Sequence, residues 1–420
     1  MPPAMDDATD DAADAGLAAQ YEAYPYPQRD PREEAGRLII GSPSHLREID
    51  HWVFAARRPR ATPLRALVAG GGTGDAAIML AEQLIRDGRP GRVAYLDRSA
   101  AAMAVARARA AARGLDLEWR SGSLLDLPGS GLGPFDYIDC VGVLHHLPDP
   151  AAGLAALVAV LAPGGGIGLM VYAPHGRGGV YMLQDALRQL APPEMPSAAR
   201  LDLARRLLAQ LPASAPLRAN RSVTDHLAGG DAGLHDLLLN PRDQAFTVTR
   251  LLDLLDAAGL AATCLLEPAR YDPARLLPDA RLRAAAARLP VRARAQLAED
   301  LSGAMSTHVV YCVRADAVPT PPDATAAQAV PIMRETPGAV LAAQIRGDGV
   351  LPLTVEGDTL MLPLPPLAGA ILRLIDGSRS VGGIAAALAG RGIAAAAFER
   401  AWREVYEQLS AANRVLLTPP

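Results

Sequence analysis

From Arg65 onward, short apolar runs alternate with longer stretches in which apolar residues recur at helical spacing: Ala66–Ala69, Asp75–Arg86, Val93–Leu96, Ala100–Arg113. Such alternation predicts right-handed β-α-β units feeding a parallel sheet. Further strands are expected at Leu117–Arg120, Tyr137–Val141 and Ile167–Tyr172. Each is short and apolar, as a strand covered on both faces must be. Past Tyr172 the rhythm changes. Val180 to Leu211 carries apolar residues at helical spacing, which predicts a helical cap inserted over about residues 175–245. The sheet pattern then resumes with a glycine-terminated helix at Thr247–Gly259, a strand at Ala262–Glu267, an Arg/Ala-rich helical stretch to Leu301, and a last strand at Thr307–Val313.

The ends of the chain read differently. Residues 1–16 are acidic and Ala-rich, without the basic region and apolar core of a secretion signal, and are expected to form a disordered leader. An entry segment follows, with Tyr21-Glu22-Ala23-Tyr24-Pro25-Tyr26-Pro27 and a helix through His45 to Phe54. Residues 317–330, with Pro319, Pro321 and Pro322 and almost no large apolar group, read as a linker between a main domain at 17–316 and a small one at 331–420. Two cores suit 420 residues, because single cores stop growing at about 250–300. In the small domain Leu360–Leu364 is expected as a strand, Ile371–Ile375 as helix, and Ser380 as the N-cap of the next helix. Phe398, Trp402, Val405, Tyr406 and Leu409 mark one face of a closing helix.

Composition excludes several classes. A formal charge of −4, with no stretch concentrating arginine and aromatics, argues against nucleic acid as partner. Cys140, Cys264 and Cys312 have neither metal nor redox spacing, which fits a reducing cytoplasm. The uncharged run Ala151–Pro174 is broken by Pro163-Gly164-Gly165-Gly166, so a buried helix, a turn and a strand explain it better than a membrane span.

Candidate chemistry begins at Gly70-x-Gly72-x-Gly74, between an apolar strand and a helix, where missing β-carbons let the backbone turn sharply and approach a ligand. Alone, the pattern favours a ligand site and leaves a tight structural turn as the alternative. The next strand ends in Asp97, placing a carboxylate where it can accept hydrogen bonds from ribose hydroxyls, or cap the helix starting near Ser99. A nicotinamide dinucleotide would share these features but wants Gly or Ala at position 75. Asp75 stands there, and a carboxylate at that helix start would repel a pyrophosphate yet tolerate a sulfonium cofactor. Asp126 can accept a hydrogen bond from an adenine amino group, with Leu124 and Leu125 flanking the ring. Phe135–Leu147 then runs through a strand into Leu144-His145-His146-Leu147, and Leu161–Gly166 is an L-x-P-G-G-G turn.

With these four segments in order, residues 66–314 resemble the class I S-adenosylmethionine-dependent methyltransferases, particularly a small-molecule branch. The resemblance implies an α/β fold: a seven-stranded, mostly parallel Rossmann-like sheet with a helical cap insertion and an antiparallel strand at Thr307–Val313. It also implies S-adenosyl-L-methionine as cofactor, with Gly70, Gly72 and Gly74 at its methionine part, Asp97 at the ribose, and Leu125 and Asp126 at the adenine. One departure is clear. The family often has an acid two residues before the first glycine, where this chain has Val68, so recognition of the cofactor's amino group must come from elsewhere.

The implied reaction is in-line displacement at a methyl carbon, for which alignment supplies most of the rate. A general base is needed only for a hydroxyl or ammonium acceptor. Candidates are His145 and His146, which in this family also shape the loop, and His226, Asp225, His235 and Asp236 in the cap. Tyr21, Tyr24 and Tyr26 either close over substrate or form a Pro-stiffened strap packed on the sheet. The remaining histidines show no ligand spacing, and no metal is expected. The segments YEAYPYPQRD and DAGLHDLLLNPRD are also similar to a group of bacterial methyltransferases of unassigned substrate. Residues 331–420 resemble the small α+β, winged-helix-like domains that bind precursor peptides in pyrroloquinoline quinone biosynthesis, carried by Ile371–Ser380 and the helix from Val381. That resemblance keeps a peptide or protein acceptor open beside a small molecule; a regulatory or dimerising module fits the same residues. A cofactor-sensing scaffold without turnover is the remaining alternative.

Overall fold

Strand β1 (Leu64–Ala69) divides the hydrophobic core in two. Leu64, Ala66 and Val68 pack on one face of the sheet, and Leu67 and Ala69 on the other. The same alternation runs through β2 (Gly91–Asp97) and β7 (Thr307–Arg314), and the sheet also contains β3 (Glu118–Ser121), which has no buried residue, β4 (Phe135–Val141), β5 (Leu161–Tyr172) and β6 (Leu260–Leu266). In this computed structural model, which describes residues 7–355 and 358–418, these strands form one sheet in the order β3-β2-β1-β4-β5-β7-β6. Only β7 runs antiparallel, against both β5 and β6.

Helices Pro150–Ala159, Val248–Ala257 and Val291–Ser302 cover one face. Helices Asp75–Arg86 and Ala100–Ala112, with the helical segment Leu46–Val53, cover the other. Strand β5 begins six residues before the expected Ile167, since Leu161 already pairs with Phe135 and a register shift absorbs the Pro-Gly segment. Fully buried side chains such as Leu67 carry the sheet, and truncating one to Ala costs about 2–5 kcal/mol. Because β1 to β5 are parallel, their C-terminal ends open on one edge, the place where open α/β sheets bind ligands.

Above that edge lies the cap, in which helices Val180–Leu190, Ser197–Gln210 and Gly230–Leu238 share a small core of Val180, Leu187, Leu201, Leu234 and Leu237. The expected disordered leader is corrected here. Residues 7–23 form a helix, and of the leader, residues 1–6 lie outside the described ones. Tertiary contacts hold it: Leu17 and Gln20 are buried, Asp14 pairs with Arg98 at 2.8 Å, and Glu22 accepts from the Ser99 hydroxyl.

Residues 318–330 carry no helix or strand and lead into a small α+β domain. There β8 (Pro331–Met333) pairs with the C-terminal β11 (Val415–Leu417), while β9 (Val350–Val355) and β10 (Asp358–Pro363) form a hairpin. Helices Gly338–Gln344, Val381–Ala389 and Ala395–Ala411 pack around Leu372, Ile384 and Trp402. Ser380 caps the second of these by accepting from Gly383 N. The domain docks through the fully buried Glu48, which accepts from Tyr311 (2.6 Å), Asn413 (2.7 Å) and Arg334. A buried carboxylate is tolerated only with such partners, so Glu48 ties the two domains together.

Candidate active site

At the end of β1 the amides of Gly70 and Gly71 both donate to the Leu96 carbonyl, turning the chain over the edge of the sheet. Gly70 and Gly72 have φ of +77° and +50°. A β-carbon on Gly70 would lie 2.2 Å from the Val143 side chain, and one on Gly72 2.7 Å from the Tyr26 carbonyl oxygen. Both positions therefore demand glycine. Asp97 braces the turn: one carboxylate oxygen accepts from Gly72 N at 2.7 Å, the other from Ser99 N at 2.8 Å. Burial raises its pKa, and these amides offset part of that rise. Capping of helix Ala100–Ala112 falls to Ser99, whose hydroxyl accepts from Ala102 N.

Gly70, Gly72, Asp97 and the segment Gly122–Leu124 form one wall of a cavity of about 800 Å³. The opposite wall comes from distant parts of the chain. Tyr21 donates to Asp236 at 2.9 Å, Tyr172 donates to the other oxygen of Asp236 at 3.1 Å, and the Tyr26 hydroxyl lies 3.5 Å from Asp225. Burial, then the neighbouring Asp236, pushes the Asp225 pKa up. Arg177 stacks 3.7 Å over the Tyr172 ring and pairs with Asp243 at 2.9 Å. His146 also lines the cavity, with Nδ1 2.7 Å from the Arg242 carbonyl. A carbonyl only accepts, so Nδ1 carries the proton and Nε2 the lone pair.

A family model described as a methyltransferase domain matches residues 67–167. An uncharacterized protein of Synechococcus sp. is 31% identical over 63% of this chain and 63% of its own length. The ubiquinone biosynthesis O-methyltransferase of Xanthomonas axonopodis pv. citri is 33% identical over 27% of this chain and 44% of its own. In both cases the chain matches less than two thirds of the relative. Among solved structures, that of PKMT2 from Rickettsia typhi in complex with AdoHcy superposes with a TM-score of 0.63 at 14% identity, covering 90% of this chain and 75% of that one. That likeness is one of fold.

Several expected site residues stand away from the cavity lining. Gly74 (φ +101°) packs two helices together, since a β-carbon there would lie 2.9 Å from Ala106. Leu125 and Asp126 are exposed on the turn just past the lining residue Leu124. His145 is fully buried, stacked 3.9 Å from the Tyr172 ring, with burial holding its pKa well below the ordinary value. It shapes the loop that presents His146. His235 stacks on Tyr24 at 5.3 Å within the cap, so this pair packs rather than lines. His226 lies one residue past Asp225 and is not part of the lining. Asp75 lines the cavity but does not act as expected. Arg29 and Arg109 each pair with it at 2.6 Å, and their charge outweighs its burial to hold its pKa low. Arg109 also pairs with Glu34 at 2.6 Å, so Asp75 belongs to a charge network and is not the bare carboxylate the sequence suggests.

Sequence reasoning missed Tyr172, Arg177, Arg29 and Asp139, all of which line the cavity. The first three become site residues only through tertiary contacts. Asp139 did carry a signal, a carboxylate inside the otherwise buried run Tyr137-Ile138-Asp139-Cys140. Among the described residues no group of three or more His, Cys, Asp or Glu could hold a metal ion, and no helix is long and apolar enough to cross a membrane.

Proposed function

We propose that this chain is an S-adenosylmethionine-dependent methyltransferase acting on a small-molecule acceptor held between the N-terminal segment and the helical cap. One observation carries the reading: the glycine turn and Asp97 of the methyltransferase domain face the Tyr21, Tyr26, Asp225, Asp236 and His146 wall across a single cavity. The residues fit the cofactor, because Gly70 and Gly72 leave backbone room that any β-carbon would fill and Asp97 offers a buried acceptor at the end of β2. Bound there, S-adenosylmethionine supplies a methyl group already activated by its sulfonium leaving group. The protein holds the acceptor in line, which alone lowers the barrier substantially. The strap at Tyr21–Tyr26 and the cap exclude water, and His146 Nε2 takes a proton from a hydroxyl or ammonium acceptor. No residue of 318–418 lines the cavity, which favours a small acceptor over a peptide delivered by the C-terminal domain. The names of the relatives, an O-methyltransferase and a protein solved with AdoHcy, support the same chemistry. Three free, buried cysteines suit a reducing cytoplasm.

Calorimetry with S-adenosylmethionine and with S-adenosylhomocysteine tests the cofactor, and Asp97→Ala is expected to weaken binding at least tenfold. Assaying S-adenosylhomocysteine formation with the full chain and fractionated cell extract tests the acceptor. Turnover in the small-molecule fraction supports the reading. Turnover confined to the protein fraction replaces it with a peptide or protein acceptor, and binding without turnover in any fraction leaves a sensing scaffold.

A further inference from the structure

The position at which the resembled family often has an acid, two residues before the glycine turn, is Val68 here, yet its place in the sheet is not without a carboxylate. In the parallel ladder between β1 and β4, the residue opposite Val68 is Asp139. Partners in a parallel ladder project to the same face, so Asp139 presents its side chain where a residue-68 acid would, one strand over. Both residues line the cavity, with Gly70 and Gly142 beside them.

Asp139 is fully buried in the middle of the sheet. Its Oδ2 accepts one hydrogen bond, from the Ser44 hydroxyl at 2.7 Å. Its Oδ1 is equally buried and has no partner among the described residues. A buried carboxylate oxygen without a donor is costly, and such atoms ask for an explanation. Burial pushes the Asp139 pKa up to about 7, which states the same cost in another form. A cationic donor brought into the cavity would remove it.

We infer that Asp139 takes over from the missing acid on β1 and binds the ammonium group of the cofactor's amino-acid moiety through Oδ1. The inference rests on the cofactor reading proposed above and assigns an acidic partner to the ligand's ammonium, which the glycine turn and Asp97 leave without one. A purely structural role, fixing the Ser44 turn against β4, uses only Oδ2 and gives Oδ1 nothing to do.

The test compares ligands that differ at the amino-acid end. The wild-type full chain should bind S-adenosylhomocysteine at least tenfold more tightly than its deaminated analogue. In Asp139→Asn, which can still accept from Ser44, S-adenosylhomocysteine should weaken by about 10- to 100-fold, the loss of one charge-assisted hydrogen bond. Binding of 5′-methylthioadenosine, which lacks the amino-acid moiety, should change less than about threefold. Ser44→Ala removes the structural bond alone and should leave both affinities near wild type. Adding Val68→Asp to Asp139→Asn returns a carboxylate to the same face and should recover S-adenosylhomocysteine binding. Equal weakening of both ligands in Asp139→Asn, or no preference for the ammonium in the wild type, overturns the assignment. If the wild type binds neither nucleoside, the cofactor reading itself fails, an outcome distinct from the loss of Asp139 alone.

Discussion

The two walls of the cavity are built in different ways. The wall carrying the glycine turn uses the ends of adjacent parallel strands, so Gly70, Gly72, Asp97 and Gly122 meet wherever three β-α units pack in this order. The wall carrying Asp225 and Asp236 is assembled from segments that are far apart in sequence. Tyr21 reaches Asp236 across 215 positions and Tyr26 reaches Asp225 across 199. The first wall is set by backbone geometry and tolerates almost no side chain; the second is set by side-chain hydrogen bonds and can change without disturbing the sheet. One fold can thereby keep its cofactor chemistry while its acceptor varies.

If that contrast is right, damage to each wall should stay on its own side of the cavity. Gly70→Val gives the largest expected effect, with the new side chain driven into Val143 from a backbone at φ +77°. Binding of S-adenosylhomocysteine should be lost in calorimetry, while a circular-dichroism melt shows the domain still folded. Retained binding would mean that the turn is not the cofactor wall. On the other side, His146→Gln should lower kcat by about 10²–10⁴-fold for a hydroxyl or ammonium acceptor, the usual worth of a general base. Cofactor affinity should move less than about threefold, because His146 is held by the Arg242 carbonyl rather than by the glycine turn.

The same contrast explains what could be read from the sequence. Strands β1, β2 and β4 lie within two residues of their expected bounds, because a strand buried on both faces leaves a mostly apolar run. Gly70, Gly72 and Asp97 were legible for the same reason, since strand ends fix where they go. The helix at 7–23 was not, because its Ala- and Asp-rich sequence has little apolar stripe and depends on Arg98, Ser99 and the cap for its place. His145 and His146 are neighbours in sequence with opposite fates, one sealed against Tyr172 and one facing the cavity, and adjacency gave no way to choose. Asp75 was read as an unpaired carboxylate, and the structure pairs it. Its partners Arg29 and Arg109 come from segments on either side of it in the chain, and nothing local announces the pairing.

A smaller effect is expected from Asp236→Asn, which weakens the hydrogen bonds from Tyr21 and Tyr172 without removing them. The acceptor KM should rise about tenfold and the melting temperature fall by a few degrees, the worth of about 1–2 kcal/mol in partly buried bonds. Cofactor affinity should be unchanged; a parallel loss would show that the two walls are coupled through the strap.

The smallest effect belongs to Asp126→Ala. The carboxylate is exposed on the turn Leu124–Asp126, just beyond the lining residue Leu124 on the glycine-turn side, and an exposed charge interacts weakly through water. If the wall is preformed, S-adenosylhomocysteine affinity should fall by less than about threefold. A loss of tenfold or more would mean that this turn folds onto the adenine when ligand enters, since only a desolvated hydrogen bond carries that much. The backbone-built wall would then have a side-chain-built rim, and the division drawn here would run through residue 124 instead of between the sheet and the cap.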